Sequence, residues 1–235
     1  MPFLFFDPRY LCFMAPALLL MFFAQWYVNS AYRKWSQVQA NSRVTGAEAA
    51  QRLIRYGGLY GVQVQGIAGN LTDNYNPKDK VLRLSRGVYE GKSVAAMAIA
   101  AHELGHAMQD QQGYFPLRLR AAMVPAVNIG STLGWILIII GLVLQSAGLA
   151  FLGVLVFSGG ALFALATLPV ELNASSRAKR LLTESGLIMG EEERRGVNKV
   201  LNAAALTYVA GLVTAIMQLL YFASLVTGMG GRRRG

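Results

Sequence analysis

Apolar residues gather into four long, nearly unbroken runs, Tyr10 to Val28, Pro125 to Gln145, Leu149 to Leu168 and Ala203 to Thr227, instead of the three-and-four spacing of a soluble amphipathic helix. A helix needs about 20 mostly apolar residues to cross the hydrocarbon core of a bilayer, so each run predicts a transmembrane helix. The stretches between them carry local patterns of their own. Thr45-Gly46-Ala47-Glu48 has the form of a capping box and opens a short helix that stops at Gly57-Gly58. Val62 to Gln65 and Val81 to Ser85 alternate apolar and polar, which predicts two strands of a small sheet on either side of the turn-rich stretch from Gly69 to Lys80. From Ser93, a plausible N-cap, strong helix formers continue without proline to Gln111. Pro169 suits a first helical position or a kink, and an amphipathic helix from Glu171 to Leu182 follows it. Glu191-Glu192-Glu193 then places acids at the positive end of a helix that runs into the fourth span.

The fold class that follows is a mainly α membrane protein with four transmembrane helices and a small cytoplasmic α+β region holding a short sheet. Along the chain this predicts an anchor at 1–28, a polar region at 29–124, a transmembrane hairpin at 125–168, polar helices at 169–202 and a last span with a basic tail at 203–235. The first run differs from a secretory signal: Asp7 stands beside Arg9 in its leader, its apolar stretch is long and no small-x-small cleavage site follows. Trp26 and Tyr27 at its end, followed by Arg33 and Lys34, read as interfacial aromatics and retained cations. Arg118, Arg120, Arg177, Lys179 and Arg180 border the same side, whereas the Ser146 to Gly148 connection carries no charge. Positive residues stay inside, so both polar regions are expected in the cytoplasm; the Arg232-Arg233-Arg234 tail pulls the other way.

Net charge is +10 with 54% hydrophobic and only 14% charged residues. The cations border apolar runs instead of forming a stripe interleaved with aromatics, which points to lipid headgroups and away from nucleic acid. The single cysteine, Cys12, lies inside the first run, so neither an intrachain disulfide nor a cysteine metal cluster is available. The runs contain no charge at mid-membrane and only modest polar groups such as Thr132, Ser158 and Gln218, a poor basis for a transporter or channel.

Both histidines of the chain fall in one motif, His102-Glu103-Leu104-Gly105-His106. Histidines four apart on a helix project from one face and can bind one Zn2+, and the glutamate beside the first can reach a water at that metal. Gly105, costly inside a helix, implies that something approaches that face closely, either a substrate backbone or the helix bearing a third ligand. A catalytic zinc site takes three protein ligands, and without a further histidine the third must be a carboxylate. Asp73, Asp79, Glu90, Asp110, Glu171, Glu184 and the Glu191 cluster are the candidates; Glu171 stands out because it lies just beyond the third span.

Leu71 to Pro77, Val81 to Ser85 with Gly87-Val88-Tyr89, Ala100 to Ala107, Pro169 to Ser175 and Ala205 to Ala210 together resemble the YugP family of membrane zinc metallopeptidases, from end to end. That family is similar to the membrane gluzincins that include HtpX, in which a transmembrane hairpin separates the HExxH helix from a glutamate ligand. The resemblance implies a zincin-like polar region, one catalytic Zn2+ held by His102, His106 and Glu171, and a multi-pass protein of a bacterial-type inner membrane. It further implies that Val81 to Ser85 is the edge along which an extended substrate pairs. The family commonly carries His and Asp where this chain has Asn74 and Asn76, and Asp at Asn173. Ser175 stands where many gluzincins place an aspartate that holds a histidine ligand.

The expected function is a zinc endopeptidase with Glu103 as general base, acting on peptides or membrane proteins in quality control or processing. By position, Arg177 or Asn173 is a candidate oxyanion donor or support for the ligands. The alternative is a zinc-binding membrane scaffold without turnover. Expected partners are the lipid bilayer and a peptide or membrane-protein substrate, with oligomers or accessory proteins also open.

Overall fold

A computed structural model of the chain describes residues 7–231, and the Arg232-Arg233-Arg234 tail lies outside them. The elements, in order, are α1 (Pro8–Ser36), α2 (Gly46–Tyr56), β1 (Gln63–Ile67), β2 (Asn74–Asn76), β3 (Val81–Ser85), α3 (Arg86–Tyr89), α4 (Val94–Gln111), α5 (Phe115–Val143), α6 (Ala147–Phe157), α7 (Gly159–Glu184) and α8 (Glu191–Gly231). Among the described residues four helical stretches are long and apolar enough to cross a membrane: Pro8–Ser36, Phe115–Val143, Ala147–Glu184 and Glu191–Met229. The protein is therefore mostly helical, with four candidate spans and one three-stranded sheet.

The helices outrun the apolar runs that predict them. α5 begins at Phe115 and carries Pro125 in its interior, and α7 carries Pro169 in its interior, so no separate helix begins at Glu171. Proline is tolerated inside a membrane helix because neighbouring groups re-satisfy the freed carbonyl. The third apolar run instead breaks at Ser158, which caps the end of α6.

Contacts divide the chain into two units. One comprises Leu119–Leu168 with the described parts of Met1–Phe23 and Thr207–Gly235; the other comprises Ala24–Arg118 and Pro169–Leu206. In the first, Gly134, Gly141 and Gly153 let α5 and α6 close on each other: a Cβ added at Gly141 would lie 2.4 Å from the Ala150 nitrogen, and one at Gly153 would lie 2.6 Å from the Ile138 nitrogen. Small residues allow such backbone approach where water supplies no hydrophobic drive. A Cβ added at Gly159 or Gly160 would meet nothing within 4 Å. Ile138, Ala150, Val154, Tyr221 and Phe222 form this unit's buried cluster, while side chains such as Leu19, Phe22, Ile129, Leu155 and Leu162 stay exposed. Exposed large apolar residues in such number mark a lipid-facing surface.

The second unit is built around α4. Its first two turns hold four alanines with Val94, Met97 and Ile99, all buried except the half-buried Ile99, so neighbouring elements sit close against a thin helix. Ser93 caps it by accepting from the Ala96 amide. Main-chain bonds from Ala40 to Lys92, Val94 to Val38 and Gly46 to Gly91 pin its start to the segment after α1. The predicted capping box of α2 is present in full, with the Glu48 carboxylate accepting from the Thr45 amide and the Thr45 hydroxyl from the Glu48 amide. Trp35 packs so tightly on Gly196 that a Cβ there would lie 2.5 Å from its ring.

The sheet has the order β1-β3-β2, with β1 parallel to β3 and β2 antiparallel to it. Val81 to Ser85 is thus the central strand, and both its edges are taken, which corrects the expectation that it offers an edge to substrate. β2, a strand missing from the predicted pair, forms one edge, in register Tyr75 against Leu82.

Candidate metal centre

α4 and α7 bring His102, His106 and Glu171 together. Glu171 Oε2 lies 3.3 Å from His102 Nε2 and 3.4 Å from His106 Nε2. The three residues form the described group whose ligand atoms could hold a metal ion. The histidines are partly exposed and Glu171 is buried, so the group opens toward solvent from the histidine side. Gly105 makes the approach possible. A Cβ there would lie 2.4 Å from the Ala174 carbonyl oxygen, so the α7 backbone rests directly on α4 one turn from Glu171. The expected close neighbour of Gly105 is the helix that bears the carboxylate.

The spacing fits a zinc ion. A tetrahedral metal that holds nitrogen and oxygen at about 2.0–2.1 Å sets those atoms about 3.3 Å apart, the separation seen between Glu171 and each imidazole. The other ring nitrogens are engaged. His106 Nδ1 is 3.0 Å from Gln109 Oε1 and His102 Nδ1 is 3.2 Å from Ser175 Oγ. Gln109 donates its amide hydrogens to the Val170 carbonyl and to Asn173 Oδ1, so its own oxygen faces the ring and accepts. That leaves His106 with a proton on Nδ1 and a lone pair on Nε2, the tautomer a metal requires. Burial pulls the His106 pKa down, but bonding to Glu171 and the charges of Glu103 and Glu171 outweigh it, and the net displacement is above the ordinary 6.5.

Glu103, between the histidines, has a partner that sequence reasoning did not supply: Oε2 accepts from the Tyr75 backbone amide at 3.0 Å. The Tyr75 hydroxyl donates to Asp110 Oδ2 at 2.9 Å, so β2 is fastened to α4 at two points one helical stretch apart. Burial and the Asp110 carboxylate raise the Tyr75 pKa well above its usual value.

The remaining carboxylates considered for the third ligand are held elsewhere. Asp73 accepts from the Ser85 amide and hydroxyl, Asp79 meets Asn76 and Arg83, Glu90 meets Arg86, Glu184 lies near Arg180, and Glu191 lies near Arg194. Glu193 is buried and accepts from Asn41 and from the Met189 and Gly190 amides. Asn173 is linked to the metal group through Gln109, and Arg177 in turn donates from Nε to Asn173 Oδ1 at 2.6 Å, bonds Gln112 and lies over the Tyr114 ring. Asn74 and Asn76 bond within their own turn, to the Thr72 carbonyl and to Asp79. Gln109 was missed, and the available signal was its position three residues after His106, on the same helical face. Ser175, four residues after Glu171, is on the same helical face as Glu171 for the same reason.

Residues 10–227 match the model of a family described as "Putative neutral zinc metallopeptidase". The chain belongs to that family. It is 48% identical over 206 residues to "Putative membrane protease YugP" of Bacillus subtilis (strain 168), an alignment that covers 88% of this chain and 91% of that protein. No solved structure matches the chain. Membership in a zinc metallopeptidase family implies zinc, and His102, His106 and Glu171 form a group that could hold a metal ion.

Proposed function

We propose that this protein is an integral-membrane zinc endopeptidase of gluzincin type, with His102, His106 and Glu171 as zinc ligands and Glu103 as general base. The observation that carries the reading is the placement of one Glu171 oxygen 3.3 and 3.4 Å from two imidazole nitrogens whose opposite nitrogens are already bonded. The family supports the metal and the activity, and the relative's name supports the membrane.

When bound, zinc supplies a Lewis acid that polarises a peptide carbonyl and lowers the pKa of water toward neutrality. The chain's own groups do the rest. Glu171 and the two imidazoles hold the centre rigid, because Gln109 and Ser175 fix the ring planes and Gly105 fixes the distance between α4 and α7. Glu103 takes the proton of the attacking water and returns it to the leaving amine, so its carboxylate must be ionised first and protonated next. The Tyr75 amide steadies one of its oxygens through that cycle. Asn173, which accepts from both Gln109 and Arg177, supports the His106 side of the site. Arg33, Lys34, Arg118 and Arg120 near the ends of α1 and α5 support a centre facing the cytoplasm under the positive-inside rule.

The experiment is Glu103→Gln. The purified variant is expected to keep zinc and lose chelator-sensitive cleavage of an unfolded membrane protein. Undiminished cleavage by that variant would refute the assignment, and a wild-type protein that binds zinc without any cleavage would favour a non-catalytic zinc scaffold.

A further inference from the structure

Away from the metal group, the start of α8 and the end of α1 enclose a cavity of about 260 Å³ lined by Tyr27, Glu191, Arg194, Arg195, Asn198, Lys199 and Asn202. We propose that this cavity binds the phosphate headgroup of an anionic phospholipid.

Its chemistry is that of a phosphate site. Three cations line it against one carboxylate, and that carboxylate, Glu191, lies 3.5 Å from Arg194. Among the described residues Arg195 and Lys199 enter no ion pair, and being four apart they stand on one face of α8. Asn198 and Asn202 continue that face with amide donors, and Lys179 brings a further ammonium to its edge by donating to Asn202 Oδ1 at 3.0 Å. A phosphate offers several acceptor oxygens and a negative charge, which matches a wall made of guanidinium, ammonium and amide groups.

Position along the helices selects a lipid as the carrier of that phosphate. Asn202 directly precedes the apolar run that begins at Ala203, and Tyr27 closes the apolar run that begins at Tyr10. Trp26, beside it, is half exposed, as interfacial aromatics are. Both helices therefore change from polar to apolar at the cavity, which sets it at the level of the headgroups. Basic pockets at the ends of membrane helices recognise anionic headgroups by this combination of charge and depth.

The test uses the full chain in neutral detergent, with native mass spectrometry of bound lipid during titration with phosphatidylglycerol or phosphatidylcholine. Phosphatidylglycerol is expected to bind in preference. Arg195→Gln with Lys199→Gln should weaken it about thirtyfold while zinc stays bound. Asn198→Glu, which puts a carboxylate into the cavity, should weaken it as well. Arg52→Gln with Arg55→Gln, the same charge change on exposed positions of α2, should leave it unchanged. Inorganic phosphate should fail to displace the lipid. Equal loss in the α2 variant, no loss in the cavity variants, equal binding of phosphatidylcholine, or displacement by inorganic phosphate would each overturn the proposal.

Discussion

In the apolar unit, Gly141 and Gly153 bring α5 and α6 to backbone contact; in the polar unit, Gly105 brings α4 and α7 to the same kind of contact, with an added Cβ 2.4 Å from a backbone atom at both Gly141 and Gly105. What the contacts carry differs. Around Gly141 and Gly153 the neighbours are Ile138, Ala150 and Val154, and the approach gains dispersion between apolar surfaces. Around Gly105 the approach delivers the Glu171 carboxylate to two imidazoles. A single packing device thus serves cohesion in one region and the spacing of the proposed ligands in the other, and only in the second would an error of an ångström become a chemical error.

Substitutions separate the two uses. The largest effect is expected from Glu171→Gln, which removes a charged ligand and should lower zinc affinity by at least about a hundredfold; isothermal titration with zinc in detergent measures it. Next comes Gln109→Ala, which frees the His106 ring and removes the bonds to the Val170 carbonyl and Asn173, and should cost about 10–100-fold in zinc affinity. Gly105→Ala and Gly141→Ala form a matched pair. Alanine ordinarily favours a helix over glycine by about 1 kcal/mol, yet each should instead destabilise by about 1–3 kcal/mol through collision with backbone, read by unfolding in sodium dodecyl sulfate. Only Gly105→Ala should also lower zinc affinity; an equal loss of zinc in Gly141→Ala would erase the distinction between the regions. The smallest effect lies at neither contact. The Thr45 amide and hydroxyl hold the exposed Glu48 carboxyl below its ordinary 4.5. A depressed carboxylate stabilises the fold above its unfolded pKa and ceases to do so as pH falls through the folded value. Glu48→Gln should therefore melt slightly below wild type at neutral pH and level with it in acid.

Much of this was legible in the residues because the signals are local. Four apolar runs mark the spans, Thr45 and Glu48 mark the start of α2, and histidines four apart mark one helical face. What was not legible depends on contacts between distant segments. β2 is only three residues long, and its two asparagines are poor strand formers; it exists because β3 pairs with it and Glu103 and Asp110 hold Tyr75. Its presence turns β3 from an edge into a centre. The second span starts before Pro125, where proline reads as a boundary in water but is carried through in α5; of the two places open to Pro169, a first helical position or a helix interior, α7 takes the interior. Ser175 was legible as a position but not as a partner, because its bond to His102 spans 73 residues of chain.

The central claim is that one zinc ion is held by His102, His106 and Glu171. X-ray absorption at the zinc edge of the purified protein, with metal content per chain, tests it most directly. One zinc per chain is predicted, with two imidazoles and oxygen ligands at about 2.0–2.2 Å, and with one fewer protein oxygen in Glu171→Gln. A sulfur ligand, zinc coordination unchanged in Glu171→Gln, or no zinc in a folded protein would contradict it.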